Sequence, residues 1–340
     1  MRYPSFIKEK DKIGFVSPSF GCATEPYKSA FENALTKFED LGFKVNVGPN
    51  CYKSDGIGIS TNPKDCGKEF MDYYLDGSNK ALISCGGGEL MCETLDYIDF
   101  DKLKNSEPKW FMGYSDNTNM TFLLTTLCDV ASVYGPCAAT FGMKPWHQAL
   151  YDAMDVLEGK KNILTSYEKW EKESLKNEDN PYEPYNVTEL VQIKAYPEGE
   201  VSITGRLIGG CLDCLSNLAG TKYDKVKEFA EKYKDDGLIW FLEACDLNVL
   251  DIRRVMWKLD SAGWFENAKG FIVGRPYCHG QEIMGLNQYE AVLGIVKKYN
   301  VPVIMDADIG HLPPMMPLVS GSMSHVTWDE KELKIAMMYR

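Results

Sequence analysis

Short unbroken apolar runs alternate along the chain with longer stretches in which apolar residues recur every three or four positions. The first runs are Ile13-Gly14-Phe15-Val16, Ala81 to Ser84 and Trp110-Phe111-Met112, and Phe43 to Val47 reads as a further strand. Continuous runs of this length predict strands covered on both faces. Between them, Ala30, Phe31, Ala34, Leu35 and Phe38 share one face of a helix predicted over Tyr27 to Leu41, which Gly42 stops. Pro63 to Leu75 reads as a second helix, with Gly77 after it, and Glu89 to Leu95 as a short third. Strands alternating with helices predict an α/β fold whose parallel sheet carries helices on its faces. Function in such sheets gathers beyond the carboxyl ends of the strands.

The pattern loosens from about Tyr151. Ser166 to Asn186 is rich in charge, proline and aromatics, among them Trp170, Tyr182 and Tyr185. That is long for a structureless connection, so it reads as a linker or a functional loop. Regular patterning then returns. Val201 to Ile208 predicts a strand before Gly209-Gly210, and Leu212, Leu215 and Leu218 mark a helix. Leu238 to Leu242 is an apolar strand that ends in Glu243. A helix follows with Val255, Leu259 and Ala262 on one face, then a strand from Gly270 to Gly274, a helix from Tyr289 to Tyr299 and a strand from Val301 to Met305. Ser320 to Met338 reads as a terminal hairpin. The expected domains are therefore residues 1–150, an intervening segment 151–190, and residues 191–340.

Composition narrows the functional classes. A chain of 340 residues is long enough for two cores. A net charge of −12 argues against nucleic acid polymers and anionic membranes, which demand basic surface. The first twelve residues are charged and lack an apolar stretch, so no signal peptide is expected, and no run is long enough to span a membrane. Eleven irregularly spaced cysteines, several within apolar runs, fit buried free thiols in a reducing cytoplasm. Cys211-x-x-Cys214 is the one close pair. It lacks a second pair or a nearby histidine, so no metal site and no cofactor is expected.

The candidate chemistry lies at the strand ends. In Gly113-Tyr114-Ser115-Asp116-Asn117-Thr118 a strand passes a glycine, presents a serine and meets residues able to cap a helix. This is the form of a nucleophile at a strand-to-helix turn, and also of a serine in an ordinary turn. Gly86-Gly87-Gly88 follows the third strand with the wrong spacing for a dinucleotide loop. It reads as a loop that brings backbone N–H groups close to a substrate oxygen, or as a tight turn. Glu243 ends a buried strand, where a carboxylate must be paired or sit at the strand's open end. Of the four histidines, His311 is the one embedded in a Gly/Pro-rich loop just after a strand. Ser115, Glu243 and His311 thus supply a nucleophile, an acid and a base in an order known for hydrolytic triads.

Phe111-Met112-Gly113-Tyr114-Ser115-Asp116, Gly205-Arg206-Leu207-Ile208-Gly209-Gly210, Leu242-Glu243 and Gly310-His311-Leu312-Pro313 resemble, in order, the four motifs of the serine LD-carboxypeptidase family. That family includes the muropeptide LD-carboxypeptidases and the microcin C self-immunity proteins. The resemblance implies an N-terminal α/β domain carrying the serine and a C-terminal domain rich in β-structure carrying the other two residues. The active site would lie at their interface, usually in a dimer. It maps the catalytic triad onto Ser115, Glu243 and His311 and the oxyanion hole onto the N–H groups of Gly87 and Asp116, with Gly86 beside the substrate. Two positions depart from the family: Cys211 stands where asparagine is usual, and the glycine loop continues as Gly88-Glu89.

The expectation is a cytoplasmic, metal-independent serine peptidase or amidase that works through an acyl-enzyme. Its partner would be a small peptide or peptide–nucleotide substrate. The long segment matches the microcin-immunity branch, in which an aromatic of such a loop stacks on the nucleobase. Trp170 is expected to serve here ahead of Tyr182 and Tyr185, with Cys211 also near the substrate. A muropeptide carboxypeptidase is the alternative within the family, and a non-catalytic binding protein the alternative outside it.

Overall fold

The computed structural model describes residues 1–339. One six-stranded sheet runs in the order Leu318–Ser320, Ser132–Tyr134, Trp110–Gly113, Asn79–Ser84, Lys12–Val16, Lys44–Val47. Every neighbouring pair is parallel except the first, in which Leu318–Ser320 runs against Ser132–Tyr134. The inner strands are apolar runs because both faces are covered: Phe15, Ile83, Phe111 and Met112 are all fully buried, whereas the edge strand Lys44–Val47 has no buried residue. The helices Tyr27–Asp40 and Pro63–Leu75 form where their spacing predicts. Phe31, Ala34 and Phe38 of the first, and Phe70 and Tyr74 of the second, face inward.

The second sheet has eight strands: Ile163–Thr165, Leu333–Met338, Met323–Trp328, Val201–Cys211, Leu238–Glu243, Ala268–Gly274, Val303–Ala307, Lys194–Tyr196. The four strands from Val201–Cys211 to Val303–Ala307 are parallel to one another, and the flanking ones are antiparallel. The protein thus has a parallel-sheet α/β N-terminal part and a C-terminal part rich in β-structure. Parallel pairing collects carboxyl ends. The serine strand Trp110–Gly113 ends beside Asn79–Ser84, which leads into the glycine loop, and the register sets Cys211 opposite Glu243.

The two parts interlock. Leu318–Ser320 comes from the C-terminal half yet forms the edge of the first sheet, and Ile163–Thr165 crosses the other way. One continuous core joins Phe15, Met112 and Tyr134 to Phe241, Ile272 and Ile304. Each such apolar side chain removed from water contributes about 1.5–3 kcal/mol, so the seam is a core rather than a hinge.

Two expectations change. The strand beginning at Val201 does not stop at Ile208 but runs through both glycines to Cys211. Gly209 and Gly210 have φ of +154° and +146°. A Cβ on Gly209 would lie 1.7 Å from the carbonyl oxygen of Phe241, and one on Gly210 2.6 Å from Thr118 Cγ2. The glycines let the strand pass that close to its neighbour and to the serine helix. The segment 166–186 is also partly regular. Lys169–Glu171 pairs antiparallel with Val187–Leu190, and residues 172–186 form the loop of this ribbon. The ribbon is fastened to the loop that carries His311: Tyr167 N–H donates to Asp308 Oδ2 at 2.8 Å and Glu171 N–H to the Pro313 carbonyl at 2.7 Å.

Candidate active site

Ser115 begins a single 3₁₀ turn, Ser115–Asn117, that leads into the helix Thr118–Thr126. Its φ is +62°, a left-handed conformation unusual for a residue with a Cβ, and it marks a strained strand-to-helix turn. None of the expected capping side chains caps this helix. They link it to its surroundings instead. The Asp116 carboxylate accepts from the Ser19 hydroxyl, from Met91 N–H at 2.8 Å and from Asn119 Nδ2 at 2.9 Å. Asn117 Nδ2 donates to the Gly86 carbonyl at 2.8 Å, and Thr118 Oγ1 accepts from Cys211 N–H at 2.9 Å. The turn is thereby bolted to the glycine loop on one side and to the second sheet on the other.

The three expected residues come together. His311 Nε2 lies 2.8 Å from Ser115 Oγ, and His311 Nδ1 lies 2.8 Å from Glu243 Oε2. Glu243 is 1% exposed, and its second oxygen accepts from the Tyr134 hydroxyl at 2.5 Å. The same Tyr134 oxygen accepts from Ser115 N–H at 3.3 Å. Burial pushes the Glu243 carboxyl up, but His311 and then the Tyr134 hydroxyl outweigh it, and the net shift is downward from 4.5. Burial likewise opposes a charged His311, but the Glu243 carboxylate prevails and holds the imidazole well above 6.5. An ionised Glu243 only accepts, so Nδ1 carries the hydrogen and Nε2 of the neutral ring is left to accept the serine proton.

Gly310 makes this approach feasible. Its φ is +102°, and a Cβ there would lie 2.6 Å from Glu243 Oε2. The remainder of the loop is held by Arg275. Its guanidinium pairs with Asp308 at 2.6 Å, both side chains being almost wholly buried, and donates to the carbonyl oxygens of Asp306 at 2.8 Å and Leu312 at 3.4 Å.

A cleft of about 650 Å³ opens over His311. Tyr114, Pro313, Tyr277 and, from the ribbon loop, Lys176 and Tyr185 line it. Gly87 abuts the serine: a Cβ on it would come within 3.0 Å of both Ser115 Cβ and Oγ. Gly86 spends its carbonyl on Asn117. Cys211 is buried, with Sγ 3.1 Å from Asp213 Oδ2, and so lies behind the site rather than facing the cleft. Trp170 departs most from expectation. It is 6% exposed and does not line the cleft, because the Arg275 guanidinium lies 5.2 Å from its ring centre and the His279 ring 5.2 Å away. Tyr182 is exposed, with the Lys144 ammonium 5.0 Å from its ring centre. Of the three aromatics, Tyr185 is the one that lines the cleft.

The sequence reading missed Tyr134, Arg275 and Tyr114, whose ring centre lies 5.0 Å from that of His311. A hydroxyl-bearing aromatic ending the apolar run Val130 to Tyr134 was the available signal for the first. An arginine directly after a buried strand was the signal for the second. Among the described residues no cluster of His, Cys, Asp and Glu is arranged to hold a metal ion, and no helix is long and apolar enough to cross a membrane.

Residues 13–135 match the LD-carboxypeptidase N-terminal domain, and residues 204–326 match the LD-carboxypeptidase C-terminal domain. The chain belongs to this family and is a serine peptidase, a hydrolase. It is 26% identical to the microcin C7 self-immunity protein MccF of Escherichia coli, over 97% of this chain and 94% of that protein. It is 25% identical to a Vibrio cholerae protein whose carboxypeptidase name is provisional, with 98% of each chain covered. The structure of MccF in complex with aspartyl sulfamoyl adenosine superposes with a TM-score of 0.82 at 24% identity, covering 99% of this chain and 98% of that one.

Proposed function

We propose that the protein hydrolyses an amide bond through a Ser115–His311–Glu243 triad and an acyl-enzyme, acting on small peptidyl- or aminoacyl-nucleotide conjugates. The observation that carries the mechanism is the unbroken chain of contacts from Glu243 through His311 to Ser115, each 2.8 Å long. In this reading neutral His311 takes the Ser115 proton as Oγ attacks the carbonyl carbon, and Glu243 stabilises the imidazolium that results. The proton then passes to the leaving nitrogen, and water, activated by the same imidazole, releases the acyl group. Gly87 and Asp116 are the backbone donors for the oxyanion. The first abuts the serine, and the second lies in the first turn of a helix, where N–H groups lack intrahelical partners. Support for the substrate class comes from MccF, whose structure holds an aminoacyl sulfamoyl adenosine, and from a cleft large enough for a nucleotide. Tyr185 is the ring placed to meet a base.

Burial of Trp170 favours a second reading, a carboxypeptidase acting on murein tetrapeptide, because it removes the larger stacking face from the cleft. Comparing kcat/KM for an aminoacyl sulfamoyl adenosine and for a tetrapeptide, in wild type and Tyr185→Ala, separates the two. Preference for the adenylate, lost selectively in the variant, supports the first. Preference for the tetrapeptide, or equal loss on both, supports the second. The homodimer implied by the family and a reducing compartment belong to the same proposal. Eleven free cysteines support the compartment, and sedimentation tests the dimer.

A further inference from the structure

Lys176 lies on the ribbon loop and lines the same cleft as His311 and Tyr185. It is half-buried. Burial, only partly offset by Glu171, holds its ammonium below the usual lysine range. Its backbone N–H donates to Ser174 Oγ at 3.3 Å, but its ammonium has no hydrogen-bond or ion-pair partner among the described residues. Glu171 acts on it only through its charge, without an ion pair, and its carboxylate accepts instead from Asn186 N–H. A cation that has lost solvation without gaining a partner is costly unless a ligand completes it. Glu173 and Glu183 also line the cleft, so it is not a general anion trap, and Lys172 beside them stays in solvent. A negative group entering the cleft therefore has one desolvated ammonium to meet.

We propose that Lys176 is a specificity-determining residue that binds an anionic group, carboxylate or phosphate, of the substrate held in this cleft. This rests on the reading of the cleft as the substrate site and adds to it the chemistry of one group that the substrate carries there. A terminal carboxylate of a peptide and a phosphate of a nucleotide both supply that chemistry.

The test is equilibrium binding, which needs no turnover. Two ligand pairs are titrated by calorimetry: AMP against adenosine, and a tetrapeptide acid against its C-terminal amide. Each is run on wild type, Lys176→Met and Lys176→Arg, with thermal unfolding confirming that the variants fold. In wild type the charged member of at least one pair is expected to bind about tenfold tighter or more, as a charge-assisted contact supplies. That preference disappears in Lys176→Met and returns in Lys176→Arg. The pair that shows it identifies phosphate or carboxylate as the source. A preference that survives in Lys176→Met, or its absence from both pairs in wild type, overturns the proposal. Hydrolysis by wild type is measured separately. Hydrolysis without a Lys176-dependent preference leaves the peptidase reading standing and removes this one. A Lys176-dependent preference without hydrolysis does the reverse.

Discussion

The Tyr134 hydroxyl donates a 2.5 Å hydrogen bond to Glu243 and accepts one from the Ser115 backbone, so a single oxygen joins the proposed acid of the triad to the backbone of the proposed nucleophile. Burial, reinforced by the Glu243 charge, raises the phenol far above its ordinary range, so it stays protonated and keeps donating. Tyr134→Phe strips a buried carboxylate oxygen of its donor. The expected cost is about 1–3 kcal/mol of stability, read by denaturant titration. With the carboxylate more basic, the pH midpoint of kcat is expected to move upward while KM stays nearly unchanged.

The proposed catalytic pair, His311 and Glu243, sets opposite expected pH trends for rate and stability. His311 must be neutral to accept the serine proton, and Glu243 raises it above 6.5, so kcat is expected to rise with pH through a midpoint above that value. The raised histidine contributes stability that is fully present below 6.5 and is lost as pH climbs through its folded value. Glu243, lowered from 4.5, contributes stability that is present above 4.5 and lost as pH falls through its folded value. The pair is therefore most stabilising between 4.5 and 6.5, below the pH at which it is most active. Glu243→Gln should move the rate midpoint down and lower kcat by about four orders of magnitude, as loss of the orienting carboxylate does elsewhere. A rate profile with an unchanged midpoint in that variant would contradict the assignment.

Ser115→Ala is expected to lower kcat by about 10⁶ with the fold intact. Ser115→Gly should be equally inactive but more stable than Ser115→Ala by about 1 kcal/mol, because glycine adopts a left-handed φ without the Cβ penalty. Paired unfolding curves of the two inactive variants read this directly. Equal stabilities would mean that the turn carries no strain.

Gly87→Ala places a methyl group 3.0 Å from Ser115 Cβ and Oγ. The glycine loop or the serine must shift, and the oxyanion donors shift with it. The expected result is a fall in kcat of about 10²–10³, the size of losing one oxyanion donor, with little change in melting temperature. A large loss of stability with normal kcat in the folded fraction would make the loop structural only.

Arg275→Met leaves Asp308 buried without a counter-charge and frees the Leu312 carbonyl beside His311. A destabilisation of about 3–5 kcal/mol is expected. The double change Arg275→Met with Asp308→Leu should recover much of it, while kcat stays low because the loop that carries His311 is less well held.

Much of this molecule is legible along the chain. The buried runs leading to Gly113, Glu243 and Asp306 are apolar because they are covered on both faces, and that alone predicts strands. Parallel strands gather side chains at their carboxyl ends, so Ser115, Glu243 and His311 could be proposed as a group before their distances were known. The glycines at 87 and 310 stand where a Cβ would strike the triad. Their presence in loops after strands is visible in the sequence, but the atoms they make room for are not.

What only the tertiary structure decides is who touches whom across distance. Leu318–Ser320 joins the first sheet because an edge needed pairing, and a three-residue strand carries no periodicity by which to announce it. Tyr134 reaches Glu243 across 109 positions, a contact set by the meeting of two sheets rather than by any local pattern. Trp170 shows the limit most directly. A large aromatic in a charged, proline-rich segment has the same local signature whether it meets a ligand or packs inside. Here an antiparallel ribbon turned it onto Arg275 and left Tyr185 at the cleft. Periodicity records which face of an element is buried, because burial acts residue by residue along the chain. It does not record what lies against that face, because that is settled only when distant elements pack.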